Sequence, residues 1–374
     1  MHDVVLVHDY LTQRGGAERV LLDLARAFPN APIITSLYDP SATFPEFADR
    51  EVRPLASNRV ASLRRDHRRA LPVLAPVFSA TTVEAKVAVC SSSGWAHGVR
   101  VRGGHKLVYC HTPARWLYQP DRYLEDVGRF RTAAVRALAP PLRRWDRHAA
   151  ASVTQFAANS SVVQQRIREE YGRGSTLLPP APAIDESGPR APVAGLESGF
   201  VLCVSRLLPY KNVDVVLDAA RRLPETTFVV VGDGPERERL VAARGDNVTF
   251  VPRVDDDQLR WLYASAALLV SASYEDFGLT PIEAASFGTP SALLRWGGFL
   301  DTLVEGRTGV FFDEPSGPAL AGAIREVLLR SWDAGSIAAH AATFGRERFV
   351  HDVREWVRTC CENPQRDPGG HQDG

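Results

Sequence analysis

The sequence lacks the features of a membrane-spanning, exported or nucleic-acid-binding protein. No apolar run approaches the roughly 20 residues that are needed to span a bilayer. Residues 1–7 lead directly into an apolar stretch, without the basic start and cleavage site of a signal peptide. The 374 residues carry no net charge, since 44 Lys and Arg balance 44 Asp and Glu, which argues against general binding of nucleic acid. We therefore expect a cytoplasmic protein.

Cysteine is scarce, and the positions of the cysteines argue against a zinc site and against a disulfide framework. No two of the five cysteines form the Cys-x-x-Cys pair that is typical of zinc sites. Three of them lie in apolar runs, where cysteine behaves as a small hydrophobic residue. The five are Cys90, Cys110, Cys203, Cys360 and Cys361. This distribution predicts a reducing compartment and no disulfide framework.

The chain does contain a regular alternation of short β-rich runs and helical stretches, which is typical of parallel α/β sheets. Its length suggests two domains, and its 45% hydrophobic and 24% charged residues are normal for a globular protein. The predicted strands lie at 4–7, 32–35, 86–90, 106–110 and 153–157 in the first half, and at 200–204, 227–231, 248–251, 267–271, 290–294 and 309–312 in the second. We expect two Rossmann-like, doubly wound α/β domains that face each other across a cleft.

The predicted domain boundaries follow from composition. Residues 1–180 form the first domain, 181–199 form a linker rich in Pro, Ala and Gly, and 200–344 form the second domain. Apolar residues recur at helical spacing over about 345–361, which predicts a terminal helix. Residues 362–374 are polar and rich in Gly and Pro, so we expect a disordered tail.

The most informative stretch contains two glutamates separated by seven residues, Glu275 and Glu283. An apolar strand precedes Glu275, and a helix with proline in its first turn contains Glu283. The backbone N–H groups of Phe277, Gly278 and Leu279 and the helix N-terminus between the acids suit a phosphate. The carboxylates would repel phosphate and are better suited to sugar hydroxyls. The pattern favours binding of an activated sugar, with helix capping by the two acids as the alternative.

Two cations follow the first strand of the second half. Arg206 and Lys211 are five positions apart across a loop, so both can converge on one diphosphate. They would stabilise the negative charge that builds on a leaving nucleotide as the glycosidic bond breaks. A pair of solvated surface cations is the alternative. The next strand ends at Gly232 and Gly234, a weaker signal that lacks the third glycine of a dinucleotide-binding fingerprint.

Two loops of the first half also follow predicted strands. Gly15 and Gly16 join the first strand to the first helix and allow a ligand to approach the backbone closely, although an ordinary tight turn explains them too. His111 follows the strand 106–110 and so lies at the functional edge of a parallel sheet. A structural histidine that caps the loop is the alternative for His111.

Three consecutive acids at 255–257 could indicate a metal site. Apolar residues continue after them at helical spacing, at Leu259, Leu262 and Tyr263. The acids are therefore better explained as the N-cap and first turn of a helix. We expect no metal and no other cofactor.

Taken in order, these motifs resemble the retaining glycosyltransferases of family 4, which have the two-Rossmann-domain (GT-B) architecture. The resemblance covers nearly the whole chain up to about Cys361. The matching motifs are the loop at Gly15 and Gly16, His-Thr-Pro at His111, Arg-x4-Lys-Asn from Arg206, the Gly-Asp-Gly turn at Gly232 and Glu-x7-Glu from Glu275. The resemblance also implies that the terminal helix crosses back onto the first domain.

The resemblance implies a role for the donor-site residues. Arg206, Lys211 and the backbone at 277–279 would hold the donor diphosphate. Glu275 would bind hydroxyls of the donor sugar, and Glu283 would bind ribose hydroxyls.

Other motifs of the family line the same site. His111 would contact the transferred sugar near its reacting carbon. The glycine loop at 15–16 would contact the donor phosphates or the acceptor, and the loop at 232–234 would line the nucleotide cleft. In the family, the backbone at the position of Arg253 holds the base of the nucleotide. A small residue is usual there, so Arg253 leaves the base preference open.

The function implied is metal-independent transfer of a hexose from a nucleotide diphosphate sugar to a hydroxyl of a glycan, lipid-linked or small-molecule acceptor, with retention of anomeric configuration. His-Thr-Pro-x-Arg followed by aromatics is similar to bacterial mannosyltransferases of surface polysaccharide assembly, which implies mannose from GDP-mannose. A nucleotide-sugar epimerase of the same architecture, a Rossmann-type oxidoreductase and a non-catalytic nucleotide-sugar-binding protein are the alternatives.

Two stretches of the first half are dense in arginine. Basic amphipathic segments can rest on anionic lipid, and the resembling family often uses lipid-linked acceptors. The stretches contain Arg59, Arg64, Arg65, Arg68 and Arg69, and Arg129, Arg131, Arg136, Arg143, Arg144 and Arg147. Solvated helix faces explain the pattern equally well, so peripheral contact with the inner face of a membrane is one of two expectations.

Overall fold

The computed structural model describes residues 2–66, 70–119 and 129–363. The chain divides into two compact units. The first comprises the chain up to Pro180 together with the segment from Arg346, and the second comprises Ala181–Gly345. Each unit is an α/β structure with a sheet of parallel strands, which confirms the predicted fold class.

The first unit contains an eight-stranded parallel sheet within the described residues. The strand order is β3-β2-β1-β4-β6-β7-β8, and β5 pairs with β4 outside this path. The strands are β1 (His2–His8), β2 (Ile33–Thr35), β3 (Val52–Pro54), β4 (Thr82–Ser92), β5 (Arg100–Arg102), β6 (His105–Cys110), β7 (Gln155–Ala158) and β8 (Ser175–Leu177). The central strands β1, β4, β6 and β7 are apolar and largely buried because helices cover both faces of a parallel sheet.

The helices of the first unit follow its strands. They are α1 (Gly16–Ala27), α2 (Ala61–Arg65), α3 (Leu71–Ala80), α4 (Arg115–Tyr118), α5 (Arg129–Ala151), α6 (Ser161–Tyr171) and, from the end of the chain, α14 (Arg346–Glu362). Local chemistry sets the ends of α6: the Ser160 hydroxyl accepts from the Val163 amide, and Gly172 ends the helix with φ +64°.

Helix α14 packs on the first unit, although it follows the second unit in sequence. The Arg354 Nε donates to the Ala27 carbonyl at 2.9 Å, at the end of α1. The Phe349 ring meets Tyr109 of β6 edge-on, with centroids 5.8 Å apart. The apolar side of α14 is therefore buried against α1 and the sheet.

The second unit contains a six-stranded, all-parallel sheet in the order β11-β10-β9-β12-β13-β14. Counted from β9, this is the order 3-2-1-4-5-6 of the doubly wound nucleotide-binding fold. The strands are β9 (Val201–Val204), β10 (Phe228–Val231), β11 (Val248–Val251), β12 (Leu268–Ser271), β13 (Ser291–Leu294) and β14 (Gly309–Phe312). Alternate residues face opposite layers: Val201 and Val230 lie in one apolar cluster, and Leu202 and Val229 lie in the other.

The helices of the second unit alternate with its strands. They are α7 (Val213–Arg221), α8 (Arg237–Ala242), α9 (Asp256–Ser265), α10 (Leu279–Ser286), α11 (Phe299–Thr302), α12 (Gly317–Leu329) and α13 (Ala334–Ala342). Residues 255–257 are the start of α9, as predicted. The Asp255 carboxylate accepts from the Gln258 amide, and the Gln258 side chain accepts from the Asp255 amide, which forms a capping box.

Residues 181–199 contain no helix or strand and pack against the second unit. Arg260 of α9 donates from Nε to the Asp185 carbonyl at 2.6 Å. The Ala183 amide donates to the Glu283 carboxylate at 3.1 Å, and Ile184 is buried in an apolar cluster. Side chains of α9 and α10 therefore hold this segment, which the composition alone marks only as a linker.

All five cysteines lie among the described residues, and none of them forms a disulfide; Cys361 is exposed and the others are buried. Among the helices described, none combines the length and the apolarity that crossing a bilayer demands.

Part of the predicted basic surface, Arg68 and Arg69, lies outside the described residues. Of the rest, Arg143 donates to the Leu117 carbonyl and Arg147 pairs with Glu170 at 3.2 Å.

Candidate functional site

The candidate donor site lies where the strand order of the second sheet reverses, between β9 and β12. The strands to one side of this point continue through β10, and those to the other side continue through β13. Loops that leave adjacent strands here diverge and leave a crevice, which is the usual ligand position in doubly wound sheets. Residues 205–212 follow β9, and residues 272–278 follow β12.

An ion pair joins these two loops. The ammonium of Lys211 donates to Oε1 of Glu275. The side chain of Lys211 is 9% exposed and that of Glu275 is 23% exposed, so the pair is partly shielded from water. An ion pair in such surroundings is stronger than one in bulk water, provided that its geometry is good.

Asn212, the next residue, holds the same two loops together through its backbone and side chain. It has φ +50° and ψ +41°, and among the described residues it is the one non-glycine residue with positive φ. Asparagine tolerates this left-handed conformation better than most residues. Its side-chain amide donates to the Ala272 carbonyl at 2.8 Å. The bend at Asn212 therefore fixes where Lys211 points.

Arg206 and Tyr210 lie on the same loop. The exposed Arg206 guanidinium donates to the Tyr210 hydroxyl at 3.4 Å, and the Lys211 ammonium lies 5.1 Å from the centre of the Tyr210 ring. The Tyr274 amide donates to the Tyr210 carbonyl at 3.2 Å. Two cations thus lie near one tyrosine, on a loop bonded to the loop of Glu275.

The predicted glycines of the β10 turn pack against the loop of Arg206. Gly232 has φ +143°, and a Cβ at this position would lie 1.9 Å from the Ser205 carbonyl oxygen. A Cβ on Gly234 would lie 2.3 Å from the Leu207 carbonyl oxygen. Close packing of two loops therefore requires both glycines.

The loop before α10 also needs glycine. Gly278 has φ +87°, and a Cβ there would lie 2.5 Å from the ring of Phe299. The Phe277 side chain is buried in an apolar cluster with Ile282, and α10 begins at Leu279. The backbone at 277–279 therefore ends at a helix N-terminus, where N–H groups and the helix dipole favour an anion.

The second glutamate of the pair has its own partners. Glu283 is 6% exposed, in the middle of α10. Its Oε2 accepts from the Tyr263 hydroxyl at 2.6 Å, and its Oε1 accepts from the Ala183 amide at 3.1 Å. Burial and the nearby Glu283 carboxylate raise the pKa of Tyr263 well above its usual value. Glu283 thus ties α10 to α9 and to residues 181–199.

Arg253, predicted to lie near the base of the nucleotide, follows β11. Its side chain is 87% exposed, and its guanidinium lies 3.7 Å from the carboxylate of Asp233. Asp233 stands between the two glycines of the β10 turn. This exposed pair therefore links the position of Arg253 to the predicted glycine loop.

The predicted residues of the first unit lie near the corresponding reversal of its own sheet, around β1 and β4. Gly15 is the N-cap of α1 with an extended φ of −128°, so no left-handed geometry requires glycine there. A Cβ on Gly15 would instead lie 2.6 Å from Oε2 of Glu18. Gly16 is the first residue of α1.

His111 follows β6 and is 9% exposed. Its Nε2 lies 2.8 Å from the hydroxyl of Ser91, at the end of β4, and its carbonyl accepts from the Asn159 side chain at 3.0 Å. Nearby, Asp9 accepts from the backbone amides of residues 93, 95 and 96. Burial raises the pKa of the Asp9 carboxyl.

Residues 189–343 match the family model described as glycosyl transferases group 1. The matched segment makes up less than half of the chain. It contains the paired Lys211 and Glu275, the loop of Arg206 and the start of α10.

Curated relatives align with a part of the chain. Glycogen synthase of Thermus thermophilus is 36% identical over 174 residues, which are 44% of this chain and 39% of that protein. D-inositol 3-phosphate glycosyltransferase of Mycolicibacterium vanbaalenii is 32% identical over 176 residues, which are 41% of this chain and 39% of that protein. The chain thus spans about two fifths of the length of the curated relatives it matches.

Solved structures resemble the whole chain. The Anabaena protein Alr3699/HepE, in complex with UDP and glucose, has a TM-score of 0.70 at 18% identity, covering 96% of this chain and 100% of that chain. Sucrose-phosphate synthase of Thermosynechococcus elongatus has a TM-score of 0.70 at 19% identity, covering 96% of this chain and 99% of that chain. These likenesses establish the GT-B fold.

The structure brings together some of the residues that the sequence singles out. Lys211 and Glu275 are in contact, and Arg206 is joined to their loop through Tyr210. Glu283 has a separate set of partners. Within residues 2–66, 70–119 and 129–363, no group of three or more His, Cys, Asp or Glu side chains is arranged to hold a metal ion.

Sequence reasoning missed a second glycine pair beside the site. Gly298 donates its amide to the Glu275 carbonyl at 3.0 Å, and a Cβ on Gly297 would lie 2.1 Å from the same oxygen. The pair follows the predicted strand 290–294, so adjacent glycines after a strand were the available signal. The contact with Glu275 itself is long-range and has no local pattern.

Proposed function

We propose that the protein is a glycosyltransferase that moves a hexose from a nucleotide diphosphate sugar to a hydroxyl of a glycan, lipid-linked or small-molecule acceptor. The observation that carries this proposal is the ion pair of Lys211 and Glu275, which lies at the sheet reversal of the second unit, inside the segment that matches the group 1 glycosyl transferase model. A cation suited to phosphate and an acid suited to sugar hydroxyls are in contact there. An activated sugar needs both functions side by side.

Each residue of the site has a role in this proposal. Lys211 and Arg206 hold the diphosphate and stabilise its developing charge as the glycosidic bond breaks. The backbone at 277–279 adds N–H donors at the start of α10. Glu275 accepts hydrogen bonds from the donor sugar, and its contact with Lys211 keeps both side chains in a fixed orientation before the substrate arrives.

The remaining roles come from the resemblance to family 4. His111 contacts the transferred sugar near its reacting carbon, Glu283 binds ribose hydroxyls, and the backbone at Arg253 lies along the base. The glycine loops at 15–16 and 232–234 line the donor. For Glu283, the bonds from Tyr263 and Ala183 hold the carboxylate in a fixed orientation.

The proposed reaction retains the anomeric configuration and needs no metal. The acceptor hydroxyl attacks the anomeric carbon on the face that the diphosphate leaves, and the departing phosphate oxygen takes the hydroxyl proton. Fixed cations and backbone N–H groups do the work that a metal ion does in other phosphate sites. Full activity in excess EDTA is the expected result, and loss with EDTA that Mn²⁺ restores would refute metal independence.

The proposed donor is GDP-mannose, on the basis of the His-Thr-Pro-x-Arg motif at His111. A thermal-shift panel of GDP-, UDP- and dTDP-sugars tests this choice, because a bound ligand raises the apparent stability by RT ln(1 + [L]/Kd). We expect the largest shift with GDP-mannose. A larger shift with a UDP-sugar would identify that sugar nucleotide as the donor in place of GDP-mannose, and the transferase proposal would still stand.

Turnover separates this proposal from the alternatives. Release of a nucleotide diphosphate only when an acceptor is present supports a transferase. Formation of a free epimer from donor alone would identify an epimerase, and donor binding without turnover on any acceptor would identify a binding protein. A change in nicotinamide absorbance would identify an oxidoreductase.

The proposed location is the cytoplasm, with contact at the inner face of a membrane through the arginine-rich stretches of the first unit. Sedimentation with vesicles that contain anionic lipid tests this contact. Binding that falls with added salt supports an electrostatic contact. No binding at low salt would leave the arginines as solvated helix faces.

A further inference from the structure

A buried chain of polar side chains runs behind His111 in the first unit. It begins at Glu18 in the first turn of α1, passes through His8 at the end of β1 and Ser91 at the end of β4, and ends at His111. Glu18, His8 and Ser91 are at most 2% exposed. Since buried polar groups need partners, the hydrogens in this chain have few possible arrangements.

The distances define the order of the contacts. Nε2 of His111 lies 2.8 Å from the Ser91 hydroxyl, and Nδ1 of His8 lies 3.0 Å from the same hydroxyl. Nε2 of His8 lies 4.0 Å from Oε1 of Glu18. The last distance is too long for a hydrogen bond, so the coupling between His8 and Glu18 is electrostatic.

The Glu18 side chain lacks a full set of hydrogen-bond donors. It lies in the first turn of α1, where the helix dipole favours a carboxylate. The Gln13 side-chain amide donates to its Oε1 at 3.0 Å, whereas its buried Oε2 has no hydrogen-bond partner among the described residues. An N–H of His8 that points toward this carboxylate is therefore favourable, and a lone pair there is not.

The Ser91 hydroxyl has a single hydrogen, which fixes the direction of the chain. If His8 carries its proton on Nε2, facing Glu18, its Nδ1 must accept the hydrogen of Ser91. The Ser91 oxygen then accepts from Nε2–H of His111. The reverse direction would turn a lone pair of neutral His8 toward the Glu18 carboxylate in a buried site.

We propose that Glu18, acting through His8 and Ser91, is a positioning residue that holds His111 in the tautomer with its proton on Nε2 and a lone pair on Nδ1. A lone pair at Nδ1 accepts a hydrogen bond, so the imidazole selects a partner that donates. If the proposed function holds, that partner is a hydroxyl of the transferred hexose, and a donor sugar that lacks this hydroxyl reacts poorly.

The test reads the tautomer directly. In protein with ¹⁵N-labelled histidine at pH 8, where histidine is ordinarily neutral, ¹⁵N chemical shifts distinguish a protonated from an unprotonated ring nitrogen. The chain has ten histidines, and the His111 signals are those that disappear in His111→Gln. We expect protonated Nε2 and unprotonated Nδ1 at His111. The opposite tautomer, or a doubly protonated His8 at this pH, would overturn the proposal.

Variants test the connection to Glu18. Glu18→Gln keeps the size of the side chain and removes its charge, and Ser91→Ala breaks the chain. Both are expected to convert His111 to a mixture of tautomers. Ser92→Ala is the matched control: Ser92 is the next residue of β4, is also buried and also bonds a histidine, His97, at 3.1 Å. Identical His111 spectra in all three variants would refute the connection.

Kinetics give a second result that a purely structural role would not produce. Glu18→Gln and Ser91→Ala should lower kcat about tenfold with little change in donor KM, and Ser92→Ala should match wild type. Because the spectra need no substrate, they remain decisive if the protein transfers no sugar. The expected tautomer without any transfer activity would refute the proposed function alone.

Discussion

The ammonium of Lys211 is bound to the carboxylate of Glu275, 64 positions later in the sequence. Lys211 follows β9 and Glu275 follows β12, and these two strands are neighbours in the sheet. The side chains thus meet because the strand order reverses between their strands. This one contact joins the two loops that the proposed function assigns to the diphosphate and to the sugar.

Lys211→Ala tests the proposed role of this cation. The change removes a charge that would stabilise the leaving diphosphate, and it leaves Glu275 without its partner. We expect kcat/KM to fall about 100-fold, or ~3 kcal/mol, as when one oxyanion-hole donor is lost. Arg221→Ala, which removes an exposed cation of α7, should change kcat/KM very little. A loss below about threefold for Lys211→Ala would remove Lys211 from the mechanism.

Asn212 should respond to substitution through its backbone conformation. Asn212→Gly keeps the left-handed geometry and loses the bond to the Ala272 carbonyl, so we expect a loss of about 1 kcal/mol in the free energy of unfolding. Asn212→Ala also loses this bond, and alanine tolerates φ +50° less well than glycine or asparagine, so this variant should lose about 1 kcal/mol more. Urea unfolding gives both values. Equal stability of the two variants would show that the strain at Asn212 is negligible.

Tyr263→Phe tests how much the hydrogen bond to Glu283 contributes to stability. The tyrosine that donates to Glu283 is fully buried, so Tyr263→Phe removes a buried hydrogen bond from the Glu283 carboxylate. We expect a decrease of about 1–3 kcal/mol in the free energy of unfolding. A double-mutant cycle with Glu283→Gln is the control, because residues in contact give a coupling energy of about 0.5 kcal/mol or more. Additive effects would contradict the contact.

The buried thiol of Cys203 should make the free energy of unfolding decrease at alkaline pH. The thiol lies in β9, and burial raises its pKa from 9.0 to about 12. Between these values the unfolded chain loses the thiol proton while the folded protein keeps it, so stability falls as pH rises.

The measurement compares wild type with Cys203→Ala by urea unfolding in reductant. From pH 8 to pH 10, wild type should lose about 1 kcal/mol more than the variant, since one pKa unit corresponds to about 1.4 kcal/mol. Between pH 6 and pH 8 the difference between the two proteins should stay constant. A constant difference up to pH 10 would mean that the Cys203 thiol ionises normally in the folded protein.

Strands with an apolar run could be predicted from the sequence, and three short strands of the first unit could not. All eleven predicted strands coincide with observed strands, and residues 248–251 and 309–312 match β11 and β14 at both ends. The three missed strands are β3, β5 and β8, each three residues long. They are short and partly exposed at or beside the sheet edge, so they lack the apolar run that marks a buried strand.

The candidate site was predictable where its residues follow strands, and less so where its bonds are long-range. Arg206, Lys211, Glu275 and His111 were recognised because loops after parallel strands share one edge. Their partners were not. Nothing local connects Glu283 with Tyr263, or Ser91 with His111, because these contacts depend on how strands and helices pack.

The sequence by itself determined the two parallel α/β units, since strands and helices depend on the local spacing of apolar residues along the chain. It also determined which loops after the predicted strands contain charged residues and glycines. The tertiary structure decided which oxygen and nitrogen atoms meet: Lys211 with Glu275, Glu283 with Tyr263, and His111 with Ser91. Hydrogen bonds and ion pairs act over a few ångströms, so such pairings exist only after the sheets have set the order of their strands.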